Sequence, residues 1–302
     1  MKDCFKLAQQ FVHRNARAID LVIWQYLFEG GDRDAVLKEL AFFQNEDGGF
    51  GHALETDFWN PASSPLQTWY AAQILRTINF TDKNHDVVTR MKHYLSHCPY
   101  FNGKRYCRVT PPNNDYPHAP WWHCSDDYLS EESYNPTAAL AGFYLAFGDE
   151  NDPFLEVAEQ VVRQAVGVYM GTDIVEPHEL SCFVQLYEYC KSMRSDLVLN
   201  MLPKLKEDIR IAIDHPPEKW ATEYHAMPSW YITSKNELAE GNEKMIAAEC
   251  EFILSRQLPN GSWPTPWSWG AYPDECAISI NRWRSVLAYS RLLFLQTFHS
   301  GR

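Results

Sequence analysis

Acids and imidazoles crowd together in the least regular stretches of this chain. His52, Glu55 and Asp57 lie within Gly51-His52-Ala53-Leu54-Glu55-Thr56-Asp57-Phe58-Trp59. His118, Trp121, Trp122, His123, Asp126 and Asp127 follow in a second such stretch, Glu176, His178 and Glu179 in a third, and Glu223 with His225 in a fourth. Asp274 and Glu275 stand shortly before Arg282. Carboxyls beside imidazoles suit general acid–base work, because a carboxyl moved out of water holds its proton to higher pH. Glu55, Asp57 and Asp274 are therefore the candidate catalytic acids. The competing use of the same residues is ordinary: helix caps and ion pairs between loops.

Aromatic residues share these stretches. Trp121, Trp122, Trp263, Trp267 and Trp269 could line a ligand site, since indole faces stabilise cations and stack on sugar rings. They could equally fill a core. The candidate ligand-binding set is His52, Trp121, Trp122, Asp126, Glu176, His178, Glu179, Glu223, His225, Trp263, Trp267, Trp269 and Arg282. His123-Cys124 with Asp126 or Asp127 matches no zinc-ligand spacing, so no metal site is expected and no cofactor is implied. Gly48-Gly49-Phe50-Gly51 follows a helix rather than joining a strand to a helix, which argues against a phosphate cradle.

Helices must position these groups. The pattern predicts apolar helices over 15–29, 66–78, 137–147, 178–190 and 282–298, several opened by Pro after a capping residue, as at Ser64-Pro65 and Glu176-Pro177. Amphipathic helices over 34–44, 86–97, 154–169, 196–213 and 243–257 alternate with them. No strand-period segment competes, so the class is all-α. The irregular segments 47–64, 99–135, 171–177, 215–230 and 259–281 precede the apolar helices. Their helix N-termini favour acidic side chains or anionic ligand atoms, and Glu55, Asp57, His178, Glu179, His225 and Asp274 are expected to converge there with Trp121 or Trp122.

One pattern occurs twice. Gln44 to Phe50 and Gln257 to Trp263 both read Q-x-x-x-G-x-aromatic, each after a helix. Such recurrence indicates a repeat architecture. Glycine permits the left-handed turn, and the glutamine can bond backbone groups left over at the helix end. These residues resemble the glutamine–tryptophan repeat of the terpenoid cyclase and protein prenyltransferase superfamily. The resemblance implies an (α/α)6 toroid of inner and outer helices, formed as one domain over 1–302, and a small, isoprenoid-type ligand in a central acidic, Trp-rich cavity. The Asp-x-Asp-Asp and Asp-Asp-x-x-Asp strings of those cyclases are absent, so the acid is sought among Glu55, Asp57 and Asp274.

Composition limits the partners. Lys and Arg number 27 against 39 Asp and Glu, a formal charge of −12, which disfavours nucleic acid. The absence of an 18-residue apolar run disfavours a membrane span, and the N-terminal residues lack the apolar run of a signal peptide, so a cytoplasmic location is expected. Eight cysteines without any C-x-x-C are expected to be reduced thiols. Oligomeric state is left open. Three functions remain: a terpenoid cyclase- or prenyltransferase-like protein acting on a small ligand, a carbohydrate-active hydrolase or lyase using two carboxylates, and a non-catalytic ligand-binding or scaffold protein.

Overall fold

The computed structural model describes residues 2–130 and 132–299. Within them the helices are α1 (Lys2–Asn15), α2 (Ala18–Phe28), α3 (Arg33–Ala41), α4 (Pro65–Thr77), α5 (Asp86–His97), α6 (Thr137–Phe147), α7 (Pro153–Met170), α8 (Pro177–Cys190), α9 (Ser195–Val198), α10 (Leu202–Ile213), α11 (Glu243–Ser255) and α12 (Pro273–Phe298). Short 3-10 turns punctuate the long connections, and β pairing among the described residues is confined to isolated bridges. The protein is all-α. No described helix is long and apolar enough to cross a membrane.

The chain forms two compact units, one made of residues up to Leu40 together with those from Ile209 onward, the other Ala41–Asp208. In the Ala41–Asp208 unit, α6 is apolar on every side, with Ala138, Leu140, Phe143, Tyr144 and Phe147 all buried, and it packs against α4, α5, α7 and α8. A helix without a polar face needs such enclosure. Its neighbour α7 buries one stripe only, Leu155, Ala158, Val162, Ala165 and Tyr169, at helical spacing. Ser64 Oγ caps α4 by accepting the Gln67 N–H at 3.2 Å, with Pro65 preset at the first helical position. Asp152 caps α7 in the same way, accepting the Phe154 N–H at 2.9 Å. Helices α4 and α8 are tied by Trp69 Nε1 and Gln73 Nε2, which both donate to Gln185 Oε1, at 2.9 and 2.6 Å, and by an Arg76–Glu188 ion pair.

In the other unit the two ends of the chain meet. Helix α1 packs on α12 and α2, and α12 packs on α2 and α11. Trp24, Ile19 and Ile23 of α2 are fully buried, and Trp24 Nε1 donates to Glu29 Oε1 at 2.7 Å.

The helix pattern departs from expectation at three places. Helix α1 was not anticipated: its few buried residues, Ala8, Phe11 and Val12, are diluted by Lys, Gln, His and Arg. The stretch expected as one helix over 196–213 is broken, a short α9 and a 3-10 turn over Leu199–Met201 preceding α10. Pro203 explains the break, because it lacks an N–H and clashes with the preceding turn. Finally, α12 starts at Pro273 instead of near Arg282. Asp274 and Glu275 therefore occupy its first turn, where carboxylates favour the helix dipole, and Arg282 sits inside the helix.

Candidate functional site

The recurring turn has the same geometry in both places. Gln44 Nε2 donates to Gly48 O at 2.9 Å and to Val87 O, on α5, at 3.0 Å. Gln257 Nε2 donates to Gly261 O at 3.0 Å and to Cys4 O, on α1, at 2.8 Å. The glycines have φ of +89° and +93°. A Cβ on Gly48 would lie 2.0 Å from Arg90 O, and one on Gly261 would lie 2.0 Å from Leu7 O. In each copy the glutamine thus holds one carbonyl of a helix and the glycine presses on the carbonyl three residues further along. Phe50 and Trp263, which close the motifs, are fully buried.

After the first turn the chain enters the segment carrying His52, Glu55 and Asp57. His52, at φ +59°, is exposed and its Nε2 meets Asn45 Oδ1 at 2.8 Å. Glu55 and Asp57 are buried, 5% and 1% exposed. The Asp57 N–H donates to Glu55 Oε2 at 2.8 Å, and the Glu55 N–H donates to Gln67 Oε1 of α4 at 2.7 Å. Both acids are therefore held out of water, and Glu55 shapes its own turn.

This segment runs beside the second irregular stretch. The Trp59 N–H donates to Pro117 O at 3.2 Å, the Ala119 N–H donates to Asp57 O at 3.0 Å, and Phe58 bridges His118. His118 and His123 stack at 5.4 Å, with Nε2 and Nδ1 3.2 Å apart. Trp122 packs on Phe58, Leu66, Val109 and Cys124, while Trp121 is 40% exposed. Backbone bonds thus pair residues 57–59 with residues 117–119. Asp126 and Asp127 are exposed.

Glu176, His178 and Glu179 form their own group at the start of α8. Glu176 caps the helix, accepting the Glu179 N–H at 3.0 Å, and meets His178 Nδ1 at 2.5 Å. Partial burial pushes its carboxyl up, but the His178 contact and the helix N–H groups outweigh that and hold it down at about 2. Glu179 accepts the Tyr134 N–H at 2.5 Å.

The remaining candidates belong to the unit formed by the two chain ends. Trp263 and Trp269 are buried, and Trp263 Nε1 donates to Ile253 O at 2.8 Å. Trp267 lies in a run of partly exposed rings: Trp230 to Tyr224 at 5.1 Å, Tyr224 to Trp267 at 5.1 Å, and Trp267 to Trp283 at 5.4 Å. His225 packs edge-on against Tyr224 at 5.6 Å. Glu223 precedes the same 3-10 turn and is partly buried, while Asp274 is exposed.

Sequence reasoning passed over Glu249, which is the support of this aromatic run. It is fully buried in α11, accepts the Ser229 N–H on Oε2 at 2.7 Å, and accepts the Ser229 Oγ–H on Oε1. Ser229 is the neighbour of Trp230, so the carboxylate fixes the turn that presents that ring. Burial pushes the Glu249 carboxyl up to about 7, against the opposing pull of Ser229 and the Arg291 charge. Burial likewise pushes Arg291 down to about 10, which leaves it charged at neutral pH, and its guanidinium lies 5.8 Å from the Trp263 ring centre. The overlooked signal was position: Ile246, Glu249, Cys250 and Ile253 form the buried stripe of α11, so Glu249 falls where an apolar residue belongs.

All eight cysteines are free thiols, and those other than Cys4 are buried. Among the described residues no group of three or more His, Cys, Asp or Glu is placed to hold a metal ion. In comparison with known proteins, no family model, curated protein or solved structure matches the chain.

Proposed function

We propose that the chain is a single (α/α)6 toroid of the terpenoid cyclase and prenyltransferase kind that binds and transforms a small ligand of isoprenoid character. The observation that carries this reading is the recurring turn, in which Gln44 and Gln257, with Gly48 and Gly261, engage helix carbonyls in the same relation. Two equivalent docked turns more than 200 residues apart are what a repeat built of helix pairs requires.

The Trp230–Tyr224–Trp267–Trp283 run supports an apolar ligand, since partly exposed aromatic faces favour hydrocarbon and any cationic centre formed within it. Acid chemistry is assigned to the Glu55–Asp57 turn, where two carboxyls separated by Thr56 are held out of water. A carbohydrate-active alternative draws on one observation, the exposed Trp121 ring in the stretch paired with that turn.

Thermal shift with polyenes, isoprenoid diphosphates and oligosaccharides tests the reading, because a ligand at about 100 times its Kd stabilises the folded state by about 2.7 kcal/mol. Polyenes or isoprenoid diphosphates are expected to raise Tm. Glu55→Gln and Asp57→Asn are expected to stay folded and lose turnover. No response to any isoprenoid, or variants that unfold while a ligand-bound wild type shows no turnover, would overturn the assignment.

A further inference from the structure

We infer that Ser229 is a nucleophile served by Glu249 as its base, and that the unit formed by the two chain ends hydrolyses small apolar esters through an acyl-Ser229 intermediate. Ser229 is partly exposed and sits in the 3-10 turn Pro228–Trp230, one residue before the Trp230 ring. Its Oγ–H donates to Glu249 Oε1. A serine hydroxyl is a weak nucleophile until a base within hydrogen-bond reach takes its proton. The inference rests on the proposed ligand reading only in using the same rings for the apolar part of the substrate.

Glu249 is held in place for that task. Its other oxygen, Oε2, accepts the Ser229 N–H at 2.7 Å, so the carboxylate cannot turn away from the hydroxyl. It is fully buried, which removes competing water, and burial pushes its carboxyl up to about 7, a value that balances basicity against ionisation at neutral pH. The charge of the buried Arg291 works the other way and keeps part of it ionised. A carboxylate that only capped this turn would do so at less cost in contact with water. A second observation points to a ligand that carries a carbonyl. Trp267 Nε1 is buried in the same aromatic run and has no acceptor among the described residues, although a buried donor without an acceptor is costly. A carbonyl oxygen supplies that acceptor, and the Trp230, Tyr224 and Trp267 faces take the apolar part.

The chemistry balances with these groups and water. Ser229 Oγ bonds to the acyl carbon as its proton passes to Glu249 Oε1, and the carbonyl oxygen takes the negative charge. The ester C–O bond then breaks, and Glu249 returns the proton to the departing alcohol oxygen. Water adds to the acyl carbon in turn, giving one proton to Glu249. That proton goes to Ser229 Oγ as the acyl bond to serine breaks, and a carboxylic acid leaves.

Two measurements on the full chain test this: hydrolysis of p-nitrophenyl butyrate, and labelling by diisopropyl fluorophosphate with the adduct located by peptide mass. Wild type is expected to carry the label on Ser229 and to hydrolyse the ester with a rate that rises with pH through about 7, as Glu249 ionises. Ser229→Ala is expected to lose the activity. Glu249→Gln, which keeps an acceptor for the Ser229 N–H, is expected to lower kcat about a hundredfold or more with KM little changed. The label is read on wild type, so it decides the matter should a variant fail to fold. Ser229 left unlabelled, or Ser229→Ala as active as wild type, would overturn the inference. Farnesol bound by a chain whose Ser229 stays unlabelled rejects this inference and spares the ligand reading; a labelled Ser229 with no response to farnesol does the reverse.

Discussion

Glu249→Gln separates the electrostatic account of the buried carboxylate from a purely steric one. Glu249 is fully buried and its carboxyl is pushed from the ordinary 4.5 up to about 7. Between those pH values the folded protein keeps a proton that the unfolded chain releases, so this group's contribution is fully present below pH 4.5 and is lost as pH rises toward 7. At 1.36 kcal/mol for each pH unit of that window, the loss is about 3 kcal/mol. Glutamine keeps an acceptor for the Ser229 N–H but cannot ionise. Urea unfolding followed by tryptophan fluorescence at several pH values from 4.5 to 8 gives both stability curves. The difference between variant and wild type should move by about 3 kcal/mol in the variant's favour across the range. Parallel curves would show that Glu249 does not hold its proton in the fold, since every other titrating group is common to both proteins.

Gly48→Ala and Gly261→Ala should each cost at least about 2 kcal/mol, because a Cβ must both tolerate a left-handed φ and displace a helix carbonyl. Gly103→Ala, at φ +88° with open space around its Cβ, should cost only about 1 kcal/mol in the same unfolding assay. Gln44→Ala and Gln257→Ala should destabilise by similar amounts, each removing two side-chain bonds to backbone carbonyls, and a cost confined to one of them would break the equivalence. Glu176, held down at about 2, contributes stability that is present above pH 4.5 and lost as pH falls toward 2. Because it is about half exposed, Glu176→Gln should cost about 1 kcal/mol or less at pH 7 and nothing at pH 2, by thermal unfolding.

Much of the helical pattern was legible because it is written in local chemistry. Ser64-Pro65, Asp152-Pro153 and Glu176-Pro177 are caps followed by a preset φ, and each opens a helix. The glycine of the recurring turn is forced by its own backbone and by a carbonyl packed against it, so the motif announces its geometry. Elements decided by tertiary contact were harder. Helix α1 has only Ala8, Phe11 and Val12 to bury and depends on α12 and α2 to do so. The start of α12 was misjudged although Pro273-Asp274-Glu275 is a strong N-terminal signature, because the two acids were assigned to a loop. For the site, the pairing of residues 57–59 with 117–119 follows from no local rule. Glu249 was hidden because a glutamate in an amphipathic helix reads as solvated, and only its register on the buried stripe says otherwise.

Fluorescence titration with farnesol, a soluble isoprenoid alcohol, tests the ligand assignment most directly, since Trp230, Trp267 and Trp283 would report contact with their own rings. A saturable change is expected in wild type, with affinity at least about tenfold weaker in Trp267→Ala, where a central aromatic anchor is removed. A saturable response to oligosaccharides with none to farnesol, or equal farnesol affinity in Trp267→Ala, would contradict it.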